Sequence, residues 1–169
     1  MGFPKALLTL GGDTFLDRLI ARLSPACSPV VVVLGAEAPR IQASLQRPAV
    51  IAVNHHWREG MLTSLQAGLG AVPPGCRGVL FTLVDHPNVR AETIAALAAA
   101  GPTVRIPRFQ GRRGHPVYFP SELIPEFLAE RESPRNVIRR HPAVYLDLDD
   151  PAIVEDIDDP ETYRRVVGL

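Results

Sequence analysis

The chain reads as an α/β protein built on a mostly parallel sheet, and three observations predict it. Short apolar runs alternate with segments of helical periodicity, the pattern of successive βαβ units. Residues 79–84 are apolar, β-branched or aromatic without alternation, as in a strand buried on both faces. That run ends abruptly in Asp85, His86 and Pro87. A carboxylate just past the carboxyl end of a parallel strand lies where open α/β sheets bind ligands. Asp85 could equally cap the helix expected near 91–100.

The elements follow in order. Gly2, Pro4 and Gly11-Gly12 mark loop and turn positions. Asp13 or Thr14 caps a helix with Phe15, Leu16, Leu19, Ile20 and Leu23 at helical spacing. A strand at 30–34, a helix at 39–45 and a strand at 49–53 come next. The helix at 60–69 turns Leu65 and Leu69 inward. After the 79–84 strand and its helix, 103–107 reads as a strand. GRRG at 111–114 reads as a basic turn leading into the short apolar run 117–119. Helices are expected at 122–129 and 136–140, a strand at 144–148, an acid-rich stretch at 147–159 and a closing helix at 160–167. No internal repeat or linker interrupts this order.

A length of 169 residues suits one domain with a full core. The formal net charge is zero, so bulk electrostatics give no reason to expect a nucleic-acid or membrane partner. No apolar run is long enough to span a bilayer, and no secretory signal is visible. Cys27 and Cys76 form no disulfide or metal pattern; both are expected reduced and buried, in a cytoplasmic protein. Of 18 cationic side chains 17 are arginine, which makes Lys5 stand out. Lysine offers a compact charge that arginine does not.

The blocks MGFPKALLTLGGDTFLDRLI, NHHWREGMLTSLQAGL, VLFTLVDHPNV, RFQGRRGHPVYF and DLDDPAIVEDIDDPETY, taken in series, resemble the MobA-like NTP transferase family. The likeness is nearest to its molybdenum cofactor cytidylyltransferase branch. It implies a Rossmann-like three-layer α/β/α fold of the nucleotide-diphospho-sugar transferase type, as a single domain over 1–169. In that family a strand and a Gly-rich loop run into Arg-Met-Gly-x-Pro-Lys, and Met1 falls on that methionine. The first strand, the Gly-rich loop and the arginine are therefore expected to be missing, leaving a gap beside residues 30–34. Either Met1 is internal to a longer reading frame, or a short natural form has lost most of its activity. In both cases this chain is expected to be less stable than the full domain, and poor or inactive as an enzyme.

The resemblance assigns the site. Lys5 would neutralise phosphate; a solvated surface lysine is the plain alternative. Asp85 would hold Mg²⁺, which takes oxygen ligands from one or two carboxylates plus substrate phosphates. Asp156 or Asp158 would supply the second carboxylate, in a stretch that could equally be a solvated turn. Asn54, Gly60 and Ser64 would line the base and acceptor side, Gly60 through close backbone approach. Ser64 could instead serve as a cap or back-bond within its helix. Arg112, Arg113 and His115 would contact an acceptor phosphate, or form a solvated basic turn. Trp57 is expected to anchor packing. His55 and His56 point opposite ways on an extended segment and are not a metal pair.

The activity implied is CMP transfer from CTP to a molybdopterin-type acceptor, with pyrophosphate released and possible hand-over to a molybdenum hydroxylase. A second reading is a non-catalytic pterin- or nucleotide-binding module, or a carrier for such a hydroxylase. A nicotinamide-dependent Rossmann enzyme is disfavoured, because no GxGxxG follows any strand.

Overall fold

The computed structural model describes residues 3–99 and 101–168; readings that fall on Met1, Gly2 and Ala100 lie outside them. After a 3₁₀ turn at Lys5–Leu7, β1 (Thr9–Leu10) and β2 (Asp13–Thr14) pair antiparallel around the Gly11-Gly12 turn. The helix α1 (Phe15–Leu23) follows at once, and the Thr14 hydroxyl accepts from the Asp17 amide at 3.0 Å. Its apolar face is buried as the periodicity predicts. Asp17 is buried too. Its carboxylate takes the Thr14 hydroxyl at 2.8 Å and the Gln46 and Arg47 amides at 2.9 and 3.1 Å, which satisfies a group otherwise costly to bury.

Next come β3 (Val31–Leu34), α2 (Ala38–Ser44), β4 (Val50–Val53), α3 (Met61–Leu69), β5 (Gly78–Phe81) and α4 (Ala91–Ala98). The chain closes with β6 (Val104–Phe109), β7 (Arg112–Arg113), β8 (Val117–Pro120), α5 (Ile124–Ala129), α6 (Pro134–Arg140), β9 (Ala143–Asp147) and α7 (Pro160–Val167).

The pairing is more mixed than expected. β3 runs parallel to β4, and β6 parallel to β9. β5 and β6 both pair antiparallel with β8. The reversal comes from the GRRG stretch. Gln110 and Gly111 both have positive φ, 49° and 79°, a tight hairpin turn that folds β7 back onto β6. The β5 strand is also shorter than residues 79–84: its ladder ends at Phe81, opposite Val117, where β8 begins.

The strands do not form one continuous sheet. Among the described residues β3 pairs only with β4, and β5 only with β8. Between these two open edges lies a slot of about 600 Å³, at the place beside residues 30–34 where a gap is expected. Val31, Val32 and Val33 form one wall, Val79 to Val84 the other, and Leu19, Leu23, Leu65 and Leu69 of α1 and α3 close it above and below. This explains a second departure from expectation: the β5 residues are only half-buried, because the slot occupies one side. Cys27 and Cys76 are free and half-buried rather than buried, and both line the slot.

The largest core cluster joins α3, β6, β8, α5 and α6 through Leu65, Val104, Phe119, Phe127 and Val137. A second holds α1 and α2 on β3, and a third packs α4 and the end of α1 against Ala152 and Ile153. The third cluster carries the C-terminal segment back to the end of β5. No helix among the described residues is long and apolar enough to cross a membrane.

Candidate active site

The chain leaves β5 at Phe81 and reaches Asp85 four residues later, at the carboxyl end of the strand. Asp85 caps no helix. The cap position of α4 is Arg90, and its amide is satisfied at 2.9 Å by Asp150 instead. Asp150 is 2% exposed and also accepts from the Thr93 hydroxyl at 2.7 Å and the Ala152 amide at 3.2 Å. These bonds tie the acidic C-terminal segment to α4. Ile153 and Ile157 are buried, the His115 amide donates to the Ile153 carbonyl at 2.9 Å, and the Ile157 amide donates to the Asp85 carbonyl at 3.1 Å. Gly114 permits this approach, since a Cβ there would lie 2.0 Å from the Ile153 carbonyl oxygen.

Lys5, Asp85, Asp156 and Asp158 are thereby brought together from three distant parts of the sequence. The Lys5 ammonium hydrogen-bonds Asp158 and stands 3.9 Å from Oδ2 of Asp85. Nε2 of His86 stands 3.0 Å from Oδ1 of Asp156 and 3.8 Å from Oδ1 of Asp85. His86 went unassigned in the sequence. Its only signal there is its place beside Asp85; its partners lie more than sixty residues away.

Burial pushes the Asp85 carboxyl up, against the opposing pull of His86 and Lys5. Its Oδ1 is buried with no hydrogen-bond partner. The hydrogen bond from Lys5 holds the mostly exposed Asp158 below the usual carboxylate range. A buried carboxylate oxygen without a hydrogen-bond partner, in a cluster that holds two further aspartates, is the kind of donor a hard divalent cation takes. Among the described residues no three His, Cys, Asp or Glu side chains gather closely enough to hold an ion by themselves. The described side chains alone therefore do not make a complete ion site; phosphate oxygens of a bound substrate would have to complete it.

Asn54 and Ser64 are engaged with each other. The Asn54 amide nitrogen donates to Thr63 Oγ1 at 2.9 Å and Ser64 Oγ at 3.0 Å, and its carbonyl oxygen accepts from the His56 amide at 2.8 Å. This buried knot fastens the end of β4 to the start of α3 and leaves Asn54 little to offer a ligand. Gly60, exposed at φ 112°, precedes α3 in a conformation that disfavours a side chain. Trp57 lies against Gly35, where a Cβ would come within 2.6 Å of it, yet stays 36% exposed under Arg58.

The three residues expected on an acceptor phosphate part company. Arg112 and Arg113 are exposed; Arg112 reaches the Val154 carbonyl at 3.4 Å, and the Arg113 guanidinium lies 4.8 Å from the Tyr145 ring centroid. His115 turns inward instead, its ring 5.3 Å from that of His86 and edge-on to Phe81. Burial first, and the His86 charge second, push its pKa down to about 4. His115 is thus an inward-facing neutral imidazole, set apart from the exposed Arg112 and Arg113, and could meet a phosphate only as an N–H donor.

Comparison with known proteins gives the family. The MobA-like NTP transferase domain matches residues 1–144. A protein named nicotine blue oxidoreductase, from Paenarthrobacter nicotinovorans, is 36% identical over 72% of this chain and 65% of its own length. A molybdenum cofactor guanylyltransferase of Sinorhizobium fredii is 37% identical over 59% of this chain and 46% of its own. The chain thus spans about half to two thirds of these relatives. Two crystal structures of Rv0371c from Mycobacterium tuberculosis H37Rv, one a manganese complex, share the fold with TM-scores of 0.87 and 0.83 at 24% identity. They cover 100% and 98% of this chain, which covers 91% of each. With most of its residues matched by the domain, the chain belongs to the MobA-like NTP transferase family.

Proposed function

We propose that this protein transfers a nucleotidyl group from a nucleoside triphosphate to a molybdopterin-type acceptor during molybdenum cofactor maturation. The observation that carries this reading is the meeting of Lys5, Asp85, Asp156 and Asp158 at the carboxyl end of β5. A phosphate oxygen of the acceptor attacks the α-phosphorus of the nucleotide. The bond to the bridging oxygen breaks, and pyrophosphate leaves. The attacking oxygen is already anionic, so the reaction needs alignment and charge neutralisation more than a base.

Asp85, with Asp156 or Asp158, would hold a Mg²⁺ ion, which supplies charge neutralisation to the phosphates when bound. The manganese complex of a structural neighbour supports a divalent ion in this fold. Lys5 leaves Asp158 to pair with the triphosphate. Arg112, exposed beside the Val154 carbonyl, would meet the acceptor phosphate. The protein works in the cytoplasm, and a molybdenum hydroxylase would receive its product.

CTP is the nucleotide proposed. GTP is the second reading, because two curated relatives are named molybdenum cofactor guanylyltransferase. The oxidoreductase name of another relative finds no dinucleotide fingerprint here. Pyrophosphate release is to be measured with Mg²⁺ and CTP, GTP or ATP, with and without molybdopterin, in the chain extended upstream by a strand and Gly-rich loop. Acceptor-dependent release is the expected result. Binding of nucleotide or pterin without release points to a non-catalytic module and overturns the enzymatic reading.

A further inference from the structure

We propose that His86 is a positioning residue that fixes the Asp156 carboxylate opposite Asp85. The proposal rests on the reading that these two carboxylates share a divalent ion. The His86 side chain is 3% exposed, and its ring bridges two segments. Nδ1 faces the Ala152 carbonyl at 3.2 Å, and Nε2 faces Asp156 at 3.0 Å and Asp85 at 3.8 Å. The ring is itself held in place, packed against that of His115 at 5.3 Å.

Asp156 is in the opposite situation. Its side chain is 59% exposed on a loop, and among the described residues His86 is the one ion-pair partner within 4.0 Å. Asp85 is anchored by the strand it follows, and Asp158 is engaged by Lys5. An exposed aspartate that must be immobilised to bind an ion loses rotamer freedom at that moment. A buried imidazole that orients it beforehand removes part of this cost, as outer-shell partners of metal ligands do. The Asp150 network anchors the loop separately, so His86 acts on the direction of one carboxylate rather than on whether the loop docks.

The test is Mn²⁺ affinity of the intact chain with a non-hydrolysable CTP analogue bound, read by electron paramagnetic resonance without turnover, for wild type, His86→Ala, His86→Gln, Asp156→Asn and the His86→Ala/Asp156→Asn double variant. His86→Ala and Asp156→Asn are each expected to weaken Mn²⁺ binding about 10- to 100-fold. The double variant is expected to be no weaker than the worse single one, and His86→Gln, which keeps an N–H donor, to recover part of the loss. Wild-type affinity in folded His86→Ala overturns the proposal, as does a loss that adds fully to that of Asp156→Asn. If His86→Ala does not fold, the ¹⁵N resonances of the wild-type ring decide. Mg²⁺ should shift Nε2 more than Nδ1, and no shift of either overturns the proposal. Asp85→Asn is the control. Unchanged Mn²⁺ binding there, or none in wild type, sinks the shared-ion reading and this proposal with it. Loss in Asp85→Asn with none in His86→Ala sinks only the role of His86.

Discussion

The Lys5 ammonium stands between two carboxylates, hydrogen-bonded to Asp158 and 3.9 Å from Asp85. It is well placed to neutralise phosphate once those carboxylates turn to an ion. Lys5→Ala is expected to lower nucleotide use by roughly 10²-fold, the usual cost of one such contact. Its fold should survive, because partly exposed ion pairs contribute at most about 1 kcal/mol. Steady-state kinetics beside a melting curve checks both; an unchanged rate returns Lys5 to the solvated surface.

In the chain extended upstream by a strand and Gly-rich loop, Asp85→Ala is expected to abolish metal-dependent pyrophosphate release. Burial of this carboxylate with one unpartnered oxygen gives it little purpose except to meet a ligand. Removing it should leave melting unchanged or slightly raised. Retained turnover rejects the metal assignment.

Asn54→Ala should damage stability before activity. It strands the His56 amide and removes the donor shared by Thr63 and Ser64. The expected loss is about 2 kcal/mol in denaturant unfolding. A stable variant with weakened nucleotide or acceptor binding would restore Asn54 to the ligand site.

His115 makes stability depend on pH in a defined window. Its pKa falls from the ordinary 6.5 to about 4 in the fold, so the unfolded chain binds this proton more readily. The contribution is fully present above pH 6.5 and is lost as pH falls toward 4. Between those values it changes by about 1.4 kcal/mol per pH unit. Denaturant unfolding of His115→Gln against wild type should show a shallower slope in that window; parallel slopes reject the burial of a neutral ring.

Hydrogen exchange reads the slot. Alternate amides of β3 and β5, those turned away from β4 and β8, should exchange much faster than their neighbours. Adding an apolar strand-forming segment followed by a Gly-rich loop before Met1 should protect them and raise Tm by about 5–10 °C. Uniform protection in the unextended chain would mean that the two edges are already paired.

Much of the fold was legible because periodicity is local. The stripe Phe15, Leu16, Leu19, Ile20 and Leu23 marks α1, and the apolar run before Asp85 marks β5, though the strand stops at Phe81, short of the end of that run. The antiparallel course of β8 was not legible, since it depends on the backbone of Gln110 and Gly111 rather than on apolar pattern. The meeting of Lys5, Asp85 and the 156–158 carboxylates was legible because motifs marked each of them. His86 and His115 were not. Whether a histidine faces solvent, a carboxylate or another ring depends on which distant segment returns to it.

The two facing strand edges also bear on how the molecule behaves in company. Each presents a row of free backbone donors and acceptors over apolar side chains, the template on which chains add to one another. Self-association, rather than loss of the native state, should therefore limit the concentration at which this protein can be handled.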